Sequence, residues 1–450
     1  FIGIIDSTTT IKTMLNRVAK PFTKLVERYL PDPFIFVILL TLLSFIVASL
    51  FTPSTPTQVL AAWGGGFWNL LQFAMQMLLV LLTGYMLAST PVMRSILNKL
   101  ATLANSPAKA IILVTLVSLL ASWLNWGFGL VIGALFAKAI AKQTRVDYRL
   151  LVASAYSGFI VWHGGLASSV PLTIATDGHF AQQSIGIIGT EETIFSAFNI
   201  AIVVGLFIIM PLVNRYMLPI EKDSVYVDPA KLDDETKQTV TPTRPAEVIE
   251  HSRLLGMGIG AVGLGYLFYY FVLTGGGLNL NSVIAIFLFS AILLHQTPHN
   301  LLSSLQQAIP SGAGIVIQFP FYAGIMAIMV KTGLAQQISE GFIAIATAET
   351  LPFWSFLSAG FVNIFVPSGG GQWAVQAPIV IPAAQSLGAD MPRVAMAVAW
   401  GDAWTNLIQP FWALPVLAIA GLKAKDIMGF CLVQLVITGV FISVMLSFYP

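Results

Sequence analysis

The segment 363–373 reads Asn-Ile-Phe-Val-Pro-Ser-Gly-Gly-Gly-Gln-Trp and separates two apolar stretches, 351–365 and 372–387. Each stretch is shorter than the roughly 20 residues that a helix needs to cross a bilayer. Because lipid offers no hydrogen-bonding partner, a free backbone N–H or C=O at membrane depth must be buried in protein or line a watery cavity. The pattern therefore predicts a re-entrant hairpin whose tip lies inside the protein.

Composition places this tip in a protein that crosses the bilayer many times. Hydrophobic residues make up 56% of the 450 residues, charged residues make up 9%, and the mean hydropathy is +0.83. The 22 Lys and Arg nearly balance the 20 Asp and Glu, and no basic stripe indicates a nucleic-acid partner. The single cysteine, Cys431, permits no intrachain disulfide and no CxxC metal or redox motif. We expect the lipid bilayer as a partner and no organic cofactor.

Nine apolar segments approach the length of a membrane span. They are 33–51, 67–90, 150–173, 193–213, 254–274, 279–296, 308–330, 394–417 and 427–448. Two pairs of shorter segments are predicted to be re-entrant hairpins, namely 110–124 with 127–141 and 351–365 with 372–387. Basic residues at both ends of the first pair favour a hairpin over one kinked span, because both ends then face the cytoplasm. The predicted fold class is an all-α polytopic membrane protein.

The distribution of Lys and Arg predicts the orientation. The segment 10–29 is basic and amphipathic, which is typical of a helix on the cytoplasmic surface and not of a cleavable signal peptide. The acidic loop 177–192 is predicted outside. We expect a cytoplasmic N-terminus and a periplasmic C-terminus.

The two halves of the chain resemble each other. When they are aligned, Asn125 falls on Asn363 and Trp162 on Trp400, and the order of spans, hairpin and broken span is the same. One extra span between the halves gives the second half the opposite orientation in the membrane. This is the inverted-repeat plan of many secondary transporters. The predicted divisions are a cytoplasmic amphipathic segment 1–29, a first repeat 30–218, a cytoplasmic linker 219–253, a connecting helix 254–274 and a second repeat 275–450.

Broken spans are predicted at equivalent places in the two halves, around 162–165 and 400–406. An ionisable side chain inside a span is costly, so His163 and Asp402 are candidates for coupling transport to an ion gradient. His163 could instead be a neutral histidine bonded to a carbonyl, and Asp402 a structural, hydrogen-bonded aspartate. The tryptophans of these segments are interpreted as packing or interface anchors and not as ligand platforms.

No Lys or Arg lies in either hairpin tip or in either broken segment. Half-helix N-termini, glycine N–H groups and neutral polar side chains can still hold a carboxylate. The candidate substrate ligands are Asn125, Ser168, Asn363, Ser368, Gly369, Gly370, Thr405 and Asn406. So weakly charged a site suits a small monoanion better than a dicarboxylate. The alternative for the glycine run 369–371 is a tight turn.

Three strings, 31–40, 366–376 and 400–410, carry a resemblance that extends over nearly the whole chain. The chain resembles the bacterial short-chain fatty acid transporters, a family of the ion transporter superfamily that includes acetoacetate and butyrate carriers. The resemblance implies an inner-membrane homodimer in which a mobile transport domain moves against a scaffold, an elevator-type mechanism. It also implies interfacial arm helices over 90–107 and 332–347. The hairpin tips lack the Ser-Asn-Thr of sodium-coupled relatives, so both a proton and a sodium ion stay open as coupling ions.

We therefore expect secondary active transport of short-chain monocarboxylates and no enzymatic activity. A dicarboxylate or amino-acid carrier of the same superfamily is the alternative, and it requires an additional cationic group. A passive channel predicts no accumulation against a gradient. An intramembrane hydrolase would combine Ser168 or Ser368 with His163 and Asp402, but neither serine lies in a nucleophile-elbow sequence.

Overall fold

The structure is a computed structural model that describes residues 33–232 and 244–448. All regular structure within these ranges is helical, as predicted. The predicted amphipathic segment 1–29 and residues 233–243 of the predicted linker lie outside the described residues.

The helices of the first half are α1 (Pro33–Phe51), α2 (Pro56–Gly66), α3 (Leu71–Ala88), α4 (Pro91–Ala101), α5 (Pro107–Leu124), α6 (Trp126–Ala141), α7 (Tyr148–Ser157), α8 (Ser169–Ile174), α9 (Gln182–Ile185) and α10 (Ala197–Tyr216). A 3₁₀ segment, Gly158–Gly164, follows α7 directly.

The helices of the second half are α11 (Pro245–Glu250), α12 (Arg253–Phe268), α13 (Leu280–His295), α14 (Pro298–Ala308), α15 (Ala313–Lys331), α16 (Leu334–Ile345), α17 (Leu351–Asn363), α18 (Gly369–Leu387), α19 (Met391–Asn406), α20 (Pro410–Ala420) and α21 (Ala424–Phe448). A π-helical turn, Tyr269–Leu273, extends α12, and a 3₁₀ turn, Ile309–Gly312, joins α14 to α15.

Eight helical stretches among the described residues are long and apolar enough to cross a membrane. Seven of them coincide with predicted spans, and the eighth is α5. Two predicted spans differ from the prediction. The span 279–296 corresponds to α13, which holds only 16 residues. The span 394–417 is divided between α19 and α20. The predicted break around 400–406 is wrong in position, because these residues are helical and the interruption follows them at residues 407–409.

Short polar residues fix where many of these helices begin. The side chains of Thr90, Ser106, Asn125, Ser196 and Ser368 each accept a hydrogen bond from a backbone N–H in the first turn of the following helix. Such caps satisfy donors that a helix leaves without a partner, which matters most where no water is present. Caps and hydropathy together set the helix boundaries.

Two helical pairs occupy the positions of the predicted hairpins. α5 and α6 are joined at Asn125 alone, and α17 and α18 are joined by residues 364–368. The expectation that all four helices are too short to cross a membrane is wrong for α5, whose 18 residues are long and apolar enough to cross. α18 holds 19 residues but is not among the eight stretches that are long and apolar enough. Their caps, Ser106 and Ser368, start both helices in sequence that is less apolar than the predicted segments.

The order of elements is the same in the two halves. Each half contains a long helix, a short helix that begins with proline, a second long helix, an arm helix, a helical pair, a broken helix and a final long helix. In the first half these are α1 to α8 and α10, and in the second half α13 to α21. The predicted arm segments 90–107 and 332–347 contain the helices α4 and α16.

Glycines allow the first broken helix to cross the first pair at backbone distance. A Cβ on Gly158 would lie 2.5 Å from the Cβ of Ser118 in α5, and a Cβ on Gly165 would overlap the carbonyl oxygen of Trp123. The N–H of Leu166 donates to that same carbonyl at 2.7 Å. The backbone of the first broken helix therefore packs directly against the backbone of α5.

The beginning of the linker is ordered and packed instead of being wholly solvated as predicted. The N–H of Val225 donates to Asp147 Oδ2 at 2.7 Å, and the guanidinium of Arg145 lies 4.3 Å from the ring centroid of Tyr226. Leu232 is buried. These contacts fasten the linker to the residues that precede α7.

Candidate functional site

The tips of the two helical pairs and the two helix breaks converge in the interior. Ser368 caps α18 by accepting a hydrogen bond from the N–H of Gly371 at 3.3 Å. The N–H groups of Gly369 and Gly370 lie in the first turn, where an α-helix supplies no carbonyl partner. Both glycines are buried. The N-terminus of a 19-residue helix therefore lies inside the protein with its positive dipole end at this tip.

His163 and Asp402, predicted as coupling residues, are in direct contact across the two halves. His163 Nε2 lies 3.2 Å from Asp402 Oδ1 and 3.4 Å from Ser169 Oγ. Both side chains are at most 1% exposed. The amide of Asn406 donates to Asp402 Oδ1 at 3.0 Å, and Asp402 Oδ2 has no hydrogen-bond partner among the described residues. The carboxylate of Asp402 is therefore bonded through Oδ1 only, and its Oδ2 is left unsatisfied by the described residues.

The tip of the second pair rests on the imidazole of this His163–Asp402 pair. A Cβ placed on Gly369 would overlap His163 Nε2 and would lie 2.5 Å from Ser169 Oγ. Only a residue without a side chain fits between the tip and the imidazole. A change at His163 is therefore transmitted directly to the backbone of Gly369.

Asn363 fastens the end of α17 to the second break. Its Nδ2 lies 3.0 Å from the carbonyl oxygen of Asp402, 2.9 Å from Thr405 Oγ1 and 2.8 Å from Asn406 Oδ1. The side chain of Gln409 donates to the carbonyl of Asn363 at 2.5 Å. Asn363, Thr405 and Asn406 are thus brought together, as a network that fixes the geometry around Asp402.

Asn125 and Ser168 occupy different surroundings. Asn125 Oδ1 accepts the N–H of Phe128 at 3.0 Å, and its Nδ2 donates to the carbonyl of Val80 at 3.3 Å. Asn125 therefore caps α6 and ties the first tip to α3. Ser168 is buried, and its Oγ has no partner among the described residues. Its neighbour Ser169, which the sequence interpretation did not single out, contacts His163.

A cavity lies between these elements and has an empty volume of about 280 Å³ including its mouth. Its polar lining consists of Ser169, Ser368, Gly369 and Gly370, and its apolar lining of Met77, Trp126, Trp162, Ile315, Phe319 and Trp412. Among the described residues that line the cavity there is no lysine or arginine. The cavity thus joins the N-terminus of α18 to an apolar compartment.

The tryptophans divide into two groups. Trp400 is a packing residue, as interpreted, since its Nε1 donates to Asn199 Oδ1 at 3.1 Å and its ring lies against Gly164. Trp162 lines the cavity together with Trp126 and Trp412, which the sequence interpretation did not identify. The contacts of Trp126 and Trp412 depend on tertiary packing. No local sequence pattern distinguishes these two residues from tryptophans that are packing or interface anchors.

The geometry does not form a hydrolytic triad. In such a triad the two imidazole nitrogens have separate partners, the nucleophile at one and the carboxylate at the other. Here Ser169 and Asp402 both approach Nε2 of His163, and Nδ1 has no partner among the described residues. The described residues also contain no cluster of three or more His, Cys, Asp or Glu side chains that could hold a metal ion.

The chain is similar to known proteins over nearly its whole length. The chain is 45% identical over 440 residues to an Escherichia coli protein that carries the provisional name short-chain fatty acid transporter, covering 97% of this chain and all of that protein. A Haemophilus influenzae protein with the same provisional name is 44% identical over 437 residues, covering 95% of this chain and 98% of that protein.

Among solved structures, the YdaH transporter of Alcanivorax borkumensis is similar in fold, with a TM-score of 0.57 and 16% identity over 93% of this chain and 99% of that one. The family model for short chain fatty acid transporters matches residues 14–449. The chain is a multi-pass membrane transporter, not an enzyme, and belongs to the short chain fatty acid transporter family.

Proposed function

We propose that the chain carries short-chain monocarboxylates, such as acetate, butyrate and acetoacetate, across the bacterial inner membrane by secondary active transport. The observation that carries the proposal is the small cavity that joins the buried N-terminus of α18 to an apolar compartment, with no basic residue among the described residues of its lining. Fully charged dicarboxylates would place a second negative charge against apolar walls, which is costly. One carboxylate on a short hydrocarbon chain matches both parts of the cavity.

In this proposal the carboxylate lies at Gly369 and Gly370. Their N–H groups have no helical acceptor, and the dipole of α18 favours an anion at this end. Ser169 and Ser368 add neutral hydroxyl donors from both halves of the chain. The hydrocarbon tail lies along the apolar lining, where each methylene withdrawn from water contributes about 0.8 kcal/mol.

His163 and Asp402 provide the coupling. With His163 neutral and Asp402 ionised, the pair carries one negative charge, and one bound proton or one sodium ion neutralises it. Loading one cation together with one monocarboxylate therefore leaves the buried site no more charged than before. Because Gly369 rests on His163 Nε2, the state of the pair acts on the same tip that holds the anion. No cofactor other than the coupling ion is required.

The architecture proposed for this function is an inverted repeat, and the order of α1 to α8 and α10 against α13 to α21 supports it. We place the two helical pairs as re-entrant hairpins in a mobile transport domain, with elevator-type movement, a homodimeric assembly, a cytoplasmic N-terminus and a periplasmic C-terminus. These features rest on family membership, on the distribution of basic residues and on the repeated element order.

Competition for uptake tests the substrate class. Purified protein in liposomes is given labelled butyrate with an excess of acetate, acetoacetate, succinate or butyramide. The proposal predicts that acetate and acetoacetate reduce uptake, and that succinate and the uncharged butyramide do not. Competition by succinate as strong as by acetoacetate would instead identify a dicarboxylate carrier.

A further inference from the structure

Three tryptophans from three separate elements form one continuous aromatic surface on the cavity. Trp126 begins α6, Trp162 lies in the 3₁₀ segment after α7, and Trp412 lies in α20. The ring centroid of Trp126 lies 5.8 Å from that of Trp162 and 5.4 Å from that of Trp412. We name these three residues the tryptophan wall.

The tryptophan wall is fixed by its surroundings. The ring of Trp162 stacks on Phe159 with centroids 5.5 Å apart and an interplanar angle of 10°, and Trp412 lies 5.5 Å from the same phenylalanine. All three tryptophans are less than 9% exposed. Packed interiors do not yield easily to extra volume, so these rings set a firm limit to the space beside them.

Met77, which also lines the cavity, is less suited to set such a limit. Met77 is an unbranched, adaptable side chain that fills gaps of varying shape. It belongs to α3, whereas the tryptophan wall belongs to the first pair and to the two broken helices, which converge with the second tip around the proposed anion site. If the first pair, the two broken helices and the second tip move as one body during transport, the tryptophan wall keeps its position beside the bound substrate.

We infer that the tryptophan wall sets the maximum length of the acyl chain that the transporter accepts. The inference rests on the proposed function, because it requires the carboxylate to be held at Gly369 and Gly370 so that the tail extends along the apolar lining. Up to the wall, each additional methylene strengthens binding about fourfold. Beyond the wall, a further methylene must displace packed rings, so affinity falls.

Inhibition of labelled butyrate uptake by unbranched acids from acetate to octanoate tests the inference in proteoliposomes. Trp126→Leu and Trp412→Leu each remove most of one ring and make room for roughly two methylene groups. The two residues lie on different elements, so misfolding of one variant leaves the other available. Trp68→Leu is the matched control, because it makes the same change at an exposed tryptophan that does not line the cavity.

The wild-type protein is expected to show an optimum among the short acids and weaker inhibition by longer ones. Trp126→Leu and Trp412→Leu should each raise the potency of hexanoate relative to butyrate by about tenfold, while Trp68→Leu keeps the wild-type optimum. Potency that rises steadily to octanoate in the wild-type protein would overturn the inference, as would folded Trp126→Leu and Trp412→Leu variants with the wild-type length profile. Absence of butyrate uptake by the wild-type protein would overturn the proposed function itself.

Discussion

His163 Nε2 and Asp402 Oδ1 lie 3.2 Å apart, with both side chains buried and with one residue contributed by each half of the chain. A carboxylate at membrane depth costs about 2.5–3.5 kcal/mol on insertion scales. The imidazole and Asn406 satisfy only one of its two oxygens. A residue held at such cost and only half satisfied is suited to exchanging a proton or binding a cation during transport.

Asp402→Asn tests this role, because it preserves the shape and much of the hydrogen bonding but removes the charge. We expect the variant to lose accumulation driven by an ion gradient and to retain exchange of labelled for unlabelled butyrate. Both quantities are measured in proteoliposomes at several pH values. Wild-type accumulation at every pH would show that Asp402 is structural and would move the coupling role to His163.

Gly369→Ala tests the contact between the second tip and the His163–Asp402 pair. The added Cβ would overlap His163 Nε2 and approach Ser169 Oγ, so the tip must move away from the imidazole. We expect at least a tenfold loss of butyrate uptake with normal expression and monodispersity. Gly265→Ala is the matched control, since a Cβ on this helical glycine meets no atom within 4 Å. Equal uptake by the two variants would make Gly369 a turn residue only.

Asn363→Ala tests the network at the second break. The substitution leaves three buried oxygens without their shared donor, and each buried polar group left unpaired costs about 1–3 kcal/mol. We expect a lower midpoint of thermal unfolding in detergent together with reduced uptake. Asn98→Ala, at an exposed position of α4, should change neither quantity. An unchanged midpoint in Asn363→Ala would mean that the network does not stabilise the fold.

Single cysteines test the two hairpins. In a Cys431→Ser background, cysteines at Asn105 and Gln143 flank α5 and α6 and are exposed. Both should react with a membrane-impermeant maleimide from the cytoplasmic side only. Cysteines at Ala348 and Ala389, which flank the second pair, should both react from the periplasmic side. If the two cysteines of one pair react from opposite faces, that helical pair crosses the membrane and is not a re-entrant hairpin.

The sequence predicts most helix positions because apolar runs and capping residues act locally. Asn125 and Ser368 start α6 and α18 through their own side chains, and both positions are visible as polar residues between apolar segments. His163 and Asp402 also stand out in the sequence as ionisable residues inside predicted spans, but the sequence does not predict that they contact each other.

The finer composition of the site is not predictable in the same way. The 3₁₀ segment before Ser168 has about three residues per turn. The 3.6-residue period therefore does not indicate whether Ser168 or Ser169 faces the cavity, and it is Ser169 that does. Trp126 and Trp412 reach the cavity only because hairpin tip and helix break converge in three dimensions. Asn363 and its aligned partner Asn125 also differ in role, because Asn363 ends α17 whereas Asn125 caps the start of α6.

Accumulation of labelled butyrate in proteoliposomes under imposed gradients tests the central claim most directly. Vesicles are prepared with an inward proton gradient, with an inward sodium gradient, or with neither, and protein-free vesicles correct for passive diffusion of the protonated acid. We predict that one of the two gradients drives butyrate to an internal concentration above the external one, and that Asp402→Asn abolishes this excess. Uptake that stops at equal concentrations under both gradients would contradict secondary active transport and indicate a passive channel.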